Sequence, residues 1–206
     1  MKEEKSYFPA NMLSWAFHPL LMPTYGLFLV FTFNVYFRFS IPPVLKWVTY
    51  LIVCISTFLL PSIAALGMVR SGIIKSLQME SREDRQAPFL VTAAFYIVCY
   101  YLLTQLHLPK MFLSMMLGAC ISVILALIIN FWWKISIHTI GMGGLCGIVY
   151  ALSQSLFVDM VMPFSFLVLL SGFVASARMF VGSHQPAQIY MGFILGFIAE
   201  CISMGF

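Results

Sequence analysis

Of 206 residues, 62% are hydrophobic and 9% charged, and the mean hydropathy is +0.98. A soluble domain has about 45–50% apolar and about 25% charged residues, so water cannot solvate a surface made from this chain and lipid must. The formal charge of +4, from 11 Lys and Arg against 7 Asp and Glu, is too small for a nucleic-acid protein, and the length suits a single integral membrane domain over residues 1–206.

Apolar runs approaching the roughly 20 residues that cross a bilayer fall at 11–33, 44–68, 87–106, 111–133, 138–157, 162–178 and 187–206. They predict an all-α, polytopic transmembrane bundle of about seven helices. The N-terminus is mixed in charge (Lys2, Glu3, Glu4, Lys5), and the first run holds Pro19 and Pro23 without a small-residue cleavage site. No removed signal peptide is therefore expected. His18 in that run reads as a packed histidine. Arg38 and Pro42-Pro43 break the first two runs. The one long polar stretch, 70–86, holds Lys75, Glu80, Arg82, Glu83, Asp84 and Arg85, and is expected to begin as a helical extension near the interface. Further breaks lie at 107–110, 134–138, 159–163 and 182–186. Trp132-Trp133-Lys134 has the pattern of an aromatic belt with a snorkelling lysine. Gly143 with Gly147, and Gly192 with Gly196, have the four-residue spacing that lets helix backbones approach in lipid. Cys54, Cys99, Cys120, Cys146 and Cys201 each sit in an apolar run and read as small hydrophobes.

Polar residues in a membrane bundle are costly and mark function. They cluster at 75–88, 134–138 and 176–188. Two predicted spans separate each cluster from the next, so all of them reach one face of the membrane. Together they offer Lys75, Arg82, Arg85, Lys134 and Arg178 as cations, Ser136 as a hydroxyl donor, and His138 and His184 as titratable groups. Cations and hydroxyls suit phosphate oxygens. Two histidines beside a phosphate suit phosphoryl transfer, one as nucleophile and one as general acid. A zinc site fits less well without a third ligand. A Ser-His hydrolase fits less well because side chains two apart do not meet on one helix face. Glu200, about 18 Å along a helix from Gln188, is expected near the opposite interface, outside the site.

At these residues the chain resembles the phosphatidic acid phosphatase type 2 superfamily, metal-independent phosphatases that often act on membrane lipids. The family pattern runs Lys-x6-Arg-Pro, then Pro-Ser-Gly-His, then Ser-Arg-x5-His-x3-Asp. Lys75 and Arg82 keep the first spacing, with Glu83 in place of the proline. Ser136 and His138 keep Ser-x-His between Ile135 and Ile137. Arg178 and His184 keep Arg-x5-His, with Ala177 before the arginine and Gln188 in place of the aspartate. The resemblance covers about residues 70–200. It implies a family-like core there, with no cofactor and no metal. His184 would be a nucleophile forming phosphohistidine, and His138 the acid that protonates the leaving oxygen. Lys75, Arg82, Ser136 and Arg178 would hold the phosphoryl oxygens, with Arg85 as substitute for Arg82. The substrate would be a lipid phosphate or diphosphate, with membrane lipids as the surroundings.

Gln188 can accept the aspartate's hydrogen bond from a histidine but brings no charge, and its amide can turn and donate instead. Turnover is therefore expected to be slow, and Gln188→Asp to raise it roughly tenfold, about 1.4 kcal/mol of barrier. A degenerate member that only binds head groups, and a lipid phosphotransferase, remain alternatives. The bacterial inner membrane is the expected location. Without the candidate site cations, Lys2, Lys5 and Arg70 balance Arg38, Lys46 and Lys110 across the membrane, so the positive-inside rule leaves the sidedness open.

Overall fold

The computed structural model describes residues 8–79, 81–157 and 159–206, with side chains for all of these except 8–11, 35 and 36. Lys2, Lys5 and Glu80 lie outside the described residues. All regular structure among the described residues is helical. Seven helical segments are long and apolar enough to cross a membrane: Met12–Phe33, Pro43–Arg70, Glu83–Gln105, Lys110–Asn130, Ile137–Leu156, Val161–Phe180 and Pro186–Ser203. The chain is a multi-pass α-helical membrane protein. Large apolar side chains such as Trp15, Phe157 and Met162 stand exposed on its outside, where lipid solvates them.

The predicted spans agree with these bounds to within a few residues, except in the polar stretch. There the second span stops at Arg70. Residues 71–79 run through turns and bends, with Gly72 at φ 75°, and the helix restarts at Glu83. The expected helical extension is absent because side-chain bonds favour a restart at that point. The Ser81 hydroxyl accepts from the Asp84 N–H at 3.2 Å and donates to Asp84 Oδ2 at 2.9 Å, which satisfies a first-turn amide.

The fifth span is the centre of the bundle: 67% of its most apolar stretch is buried, against 39% or less in the other spans. Its principal partner is the seventh. Glycine makes that contact possible. A Cβ on Gly143 would stand 2.0 Å from the Phe193 carbonyl oxygen, and one on Gly196 would stand 1.9 Å from that of Ile140. A Cβ on Gly192 would press on Thr139 Oγ1 at 2.5 Å. Backbone meets backbone here, the close approach that small residues allow in lipid.

Two other spans are irregular. The first breaks at His18-Pro19 into a short 3-10 turn, Pro19–Leu21, before continuing. Proline cannot donate to the helical ladder. His18 Nδ1 accepts from the Leu20 N–H at 3.3 Å, and Thr57 Oγ1 donates to the Leu20 carbonyl at 3.2 Å. That threonine lies in a π-helical turn of the second span, Ile55–Leu59, just before Pro61. Irregular backbone in a membrane is tolerated where protein or a cavity surrounds it: His18, Pro19 and Leu20 face the cavity described next, and Ser56 and Thr57 of the π-helical turn are buried in protein.

The fifth–seventh contact leads to a direct test. Gly196→Ala is expected to lower the detergent melting temperature, losing about 1–3 kcal/mol to overpacking. Gly172→Ala, where a Cβ meets nothing within 4 Å, is expected to leave it unchanged or raise it. Equal melting of the two variants would refute the close contact.

Candidate functional site

Each polar cluster is set where a helix begins or ends. The third span carries Arg85 in its first turns, and the sixth carries Arg178 in its last turn. The fifth begins at Ile137 with Ser136 as its cap, and the seventh begins at Pro186, just after His184. The Ser136 N–H donates to the Gln188 carbonyl at 3.3 Å, which sets these two helix starts side by side.

These ends surround a cavity of about 840 Å³ whose wall includes Arg85, Lys134, His138, Arg178, Ser183 and His184. Arg85, His138 and His184 are buried. Arg85 is aimed by two carbonyls: its Nε donates to Met79 at 2.9 Å and its Nη1 to Ile135 at 3.3 Å. Lys75 and Arg82 do not reach the cavity. Both are exposed, and Arg82 Nη1 donates to the Trp132 carbonyl at 2.7 Å. Asn130 Nδ2 donates to the Arg82 carbonyl at 2.9 Å, and these bonds tie the third span to the end of the fourth. With turns rather than helix over 75–79, the two cations do not share a face. Of Arg82 and Arg85, the one brought to the histidines is therefore Arg85, with Lys134 in the same cavity wall. Ser136 is fully buried behind the wall, and its hydroxyl has no partner.

His184 is oriented by Gln188. Its Nδ1 lies 3.0 Å from Gln188 Oε1, and the same oxygen accepts from the Gln185 N–H at 3.1 Å. A backbone N–H can only donate, so it holds the amide with its oxygen toward the ring. Nδ1 then carries the proton, and Nε2 keeps its lone pair. The amide flip that the sequence leaves open is thus closed off. Nε2 is buried with no hydrogen-bond partner. Burial pushes the His184 pKa down to about 4; Arg85, Arg178 and Lys134 act the same way, while the Gln188 bond opposes them. The ring is neutral at pH 7, as a nitrogen nucleophile must be.

Near His184, two further residues of this wall hold an unpartnered atom, His138 at Nδ1 and Arg178 at Nε. His138 is hydrogen-bonded to the Ser14 carbonyl. Its Nδ1 has no partner, so the bond runs through Nε2–H and leaves the Nδ1 lone pair free. Arg178 Nη1 donates to the Ser14 hydroxyl at 3.4 Å. Ser14 therefore holds one histidine and one arginine of the site.

Ser14, His18 and Glu200 were not legible as cavity residues. His18 is packed as expected, against Phe58 and with its ring 6.2 Å from that of His138, edge to face, and it also lines the cavity. The available signal was a histidine followed by proline inside an apolar run. Nothing in the sequence marks Ser14. Glu200 lines the same cavity and is buried. Its distance of about 18 Å along the helix from Gln188 suggests a place outside the site, but spacing carries no information on the depth of the cavity. Among the described residues, no three His, Cys, Asp or Glu side chains group closely enough to hold a metal ion.

Comparison with family models, with curated proteins and with solved structures finds no match to this chain.

An ordinary histidine titrates at about 6.5. Nitrogen-15 NMR of histidine-labelled protein is expected to show His184 as the Nδ1–H tautomer at pH 7, gaining its proton only near pH 4. Between these values the unfolded chain binds the proton and the folded chain does not. Stability from this group is full above about pH 6.5 and falls as pH drops toward 4. Titration near the ordinary value, or the Nε2–H tautomer, would count against this geometry.

Proposed function

We propose that the protein is a divergent member of the phosphatidic acid phosphatase type 2 superfamily. It would remove a phosphate or diphosphate from a lipid through a phosphohistidine on His184. The observation that carries this reading is that His138, Arg178 and His184, which hold the unpartnered atoms Nδ1, Nε and Nε2, line one cavity also walled by Arg85 and Lys134. A buried polar atom left unpaired costs about 1–3 kcal/mol, and a phosphate has oxygens for the cations. The resemblance of residues 70–200 also assigns the work to the bacterial inner membrane.

The steps follow from the nitrogen positions. A phosphate monoester arriving as the monoanion gives its proton to His138 Nδ1. His184 Nε2 attacks phosphorus as the ester P–O bond breaks, and His138 returns the proton to the leaving oxygen. Arg85, Arg178 and Lys134 stabilise the charge on the non-bridging oxygens. Water then attacks phosphorus, its proton passes to His138, the N–P bond breaks with its electron pair returning to His184 Nε2, and the departing phosphate takes the proton from His138 and leaves as the monoanion. Lys75, Arg82 and Ser136, which the resemblance assigns to the phosphate, do not line this cavity. Phosphate holding falls to the other cations.

Gln188 supplies the tautomer but no negative charge to the ring as it becomes cationic. This favours slow turnover, and head-group binding without turnover is the second reading. The substitution that tests it is to glutamate rather than to aspartate: Gln188→Glu keeps the reach of the 3.0 Å contact, whereas aspartate is a methylene shorter.

Purified protein is expected to release phosphate from a lipid-phosphate panel in EDTA, to be inhibited by vanadate, and to lose turnover in His184→Ala. Gln188→Glu is expected to raise kcat about tenfold, about 1.4 kcal/mol. Phosphate binding without release, in native protein and in Gln188→Glu alike, would decide for the binding reading. Activity lost in EDTA and restored by a divalent ion would overturn the phosphohistidine route.

A further inference from the structure

The cavity does not end at the phosphate-binding groups. From Arg85, Thr92 and Tyr96 of the third span lie about 10 and about 16 Å along the helix, and both line the wall. Ser122 of the fourth span is about 12 Å from Asn130, and Glu200 of the seventh is about 18 Å from Gln188; both line it too. All of these are buried. Polar side chains from the third, fourth and seventh spans thus face one space deep in the bundle. Arg85, Lys134, Arg178 and the histidines all stand at its other end.

Glu200 is the strongest of these groups. It is 4% exposed, and its Oε2 is buried with no hydrogen-bond partner. Space is reserved for it by glycine. A Cβ on Gly118 would stand 2.5 Å from Oε2, one on Gly147 2.9 Å from the Glu200 Cβ, and one on Gly144 3.6 Å from its Cγ. The cations of the cavity wall, Arg85, Lys134 and Arg178, all stand at the opposite end from it. A carboxyl buried this fully among the helices of a membrane bundle carries a large cost unless something bonds to it. A plain hydrocarbon tail would lay its terminal methyl against this group and leave the cost in place.

We propose that Glu200, with Thr92, Tyr96 and Ser122, forms a second polar subsite that binds a hydrogen-bond donor at the far end of the ligand. The ligand is then an elongated phosphate with an apolar middle and a hydroxyl or amine roughly 18 Å from the phosphate end, the rise between Gln188 and Glu200. This rests on the phosphate reading of the cavity mouth and narrows it. Spacing between the ends, rather than hydrophobicity alone, selects the ligand.

Calorimetric titration of the purified full-length protein with alkyl phosphates tests it. Chain lengths from butyl to hexadecyl are each used plain, with a terminal hydroxyl, and with a terminal amine. A terminal donor is expected to raise affinity about tenfold, but only at lengths that reach Glu200. Glu200→Leu is expected to abolish that gain and leave butyl phosphate binding unchanged. Glu200→Gln, which keeps the hydrogen bond without the charge, separates the donors. It is expected to preserve the hydroxyl gain and remove the amine gain, and melting temperatures confirm that both variants fold. If butyl phosphate binds but no length shows a donor preference, the second subsite is wrong and the phosphate site stands. If butyl phosphate does not bind native protein at all, both readings fall.

Discussion

The site depends on the contact between the backbones of the fifth and seventh spans. In lipid, apolar side chains gain nothing by leaving the solvent, so helices associate through close packing and hydrogen bonds. Gly143, Gly192 and Gly196 let carbonyls of one helix sit where a Cβ of the other would be. This brings the start of the fifth span, with Ser136 and His138, against the start of the seventh, with His184 and Gln188. The Ser136 N–H to Gln188 carbonyl bond fixes the register at the top. A shift of one residue along either helix would rotate a histidine away from the cavity.

The charge distribution at the cavity mouth is one-sided. Asp84, the nearest acid in sequence to Arg85, is occupied at a helix N-terminus: it accepts from Ser81 Oγ at 2.9 Å and from the Lys75 N–H at 3.4 Å. Arg85 uses its donors on carbonyls, and Arg178 bonds to a hydroxyl. Among the described residues, no carboxylate stands in the wall at that end, where Arg85, Lys134 and Arg178 meet. Cations gathered in low dielectric repel one another, and an entering phosphate relieves the repulsion. Burial keeps the His184 ring neutral and the same field adds to it, so in the proposed reading the charge that would attract a phosphate would also prepare the nucleophile.

Sequence patterns were sufficient for the spans, because a run of about 20 apolar residues can hardly do anything but cross a bilayer. They were also sufficient for the convergence of Arg85, Lys134, His138, Arg178 and His184 on one end of the bundle, because alternating crossings dictate it. They failed where a local bond decides. The spacing of Lys75 and Arg82 suggested one helical face, but the Ser81–Asp84 bonds start the helix after both. The orientation of Gln188 depends on the Gln185 N–H, a backbone group without sequence identity. Glu200 lies about 18 Å along the helix from Gln188, but the cavity runs the same way.

The first span bears on how much of the chain makes up the site. The resemblance begins near residue 70, which would leave the first two spans as an anchor. Yet Ser14 holds both His138 and Arg178, and the His18 ring packs against that of His138. The chain pauses there because Pro19 interrupts the ladder, and the second span stabilises the pause by donating from Thr57 to the freed Leu20 carbonyl. An uninterrupted helix would keep the Leu20 carbonyl within its own ladder and turn His18 to a different face. The break in the first span and the π-helical turn in the second are thus one arrangement. It sets His18, Pro19 and Leu20 into the cavity wall, beside the histidine whose nitrogen Ser14 fixes.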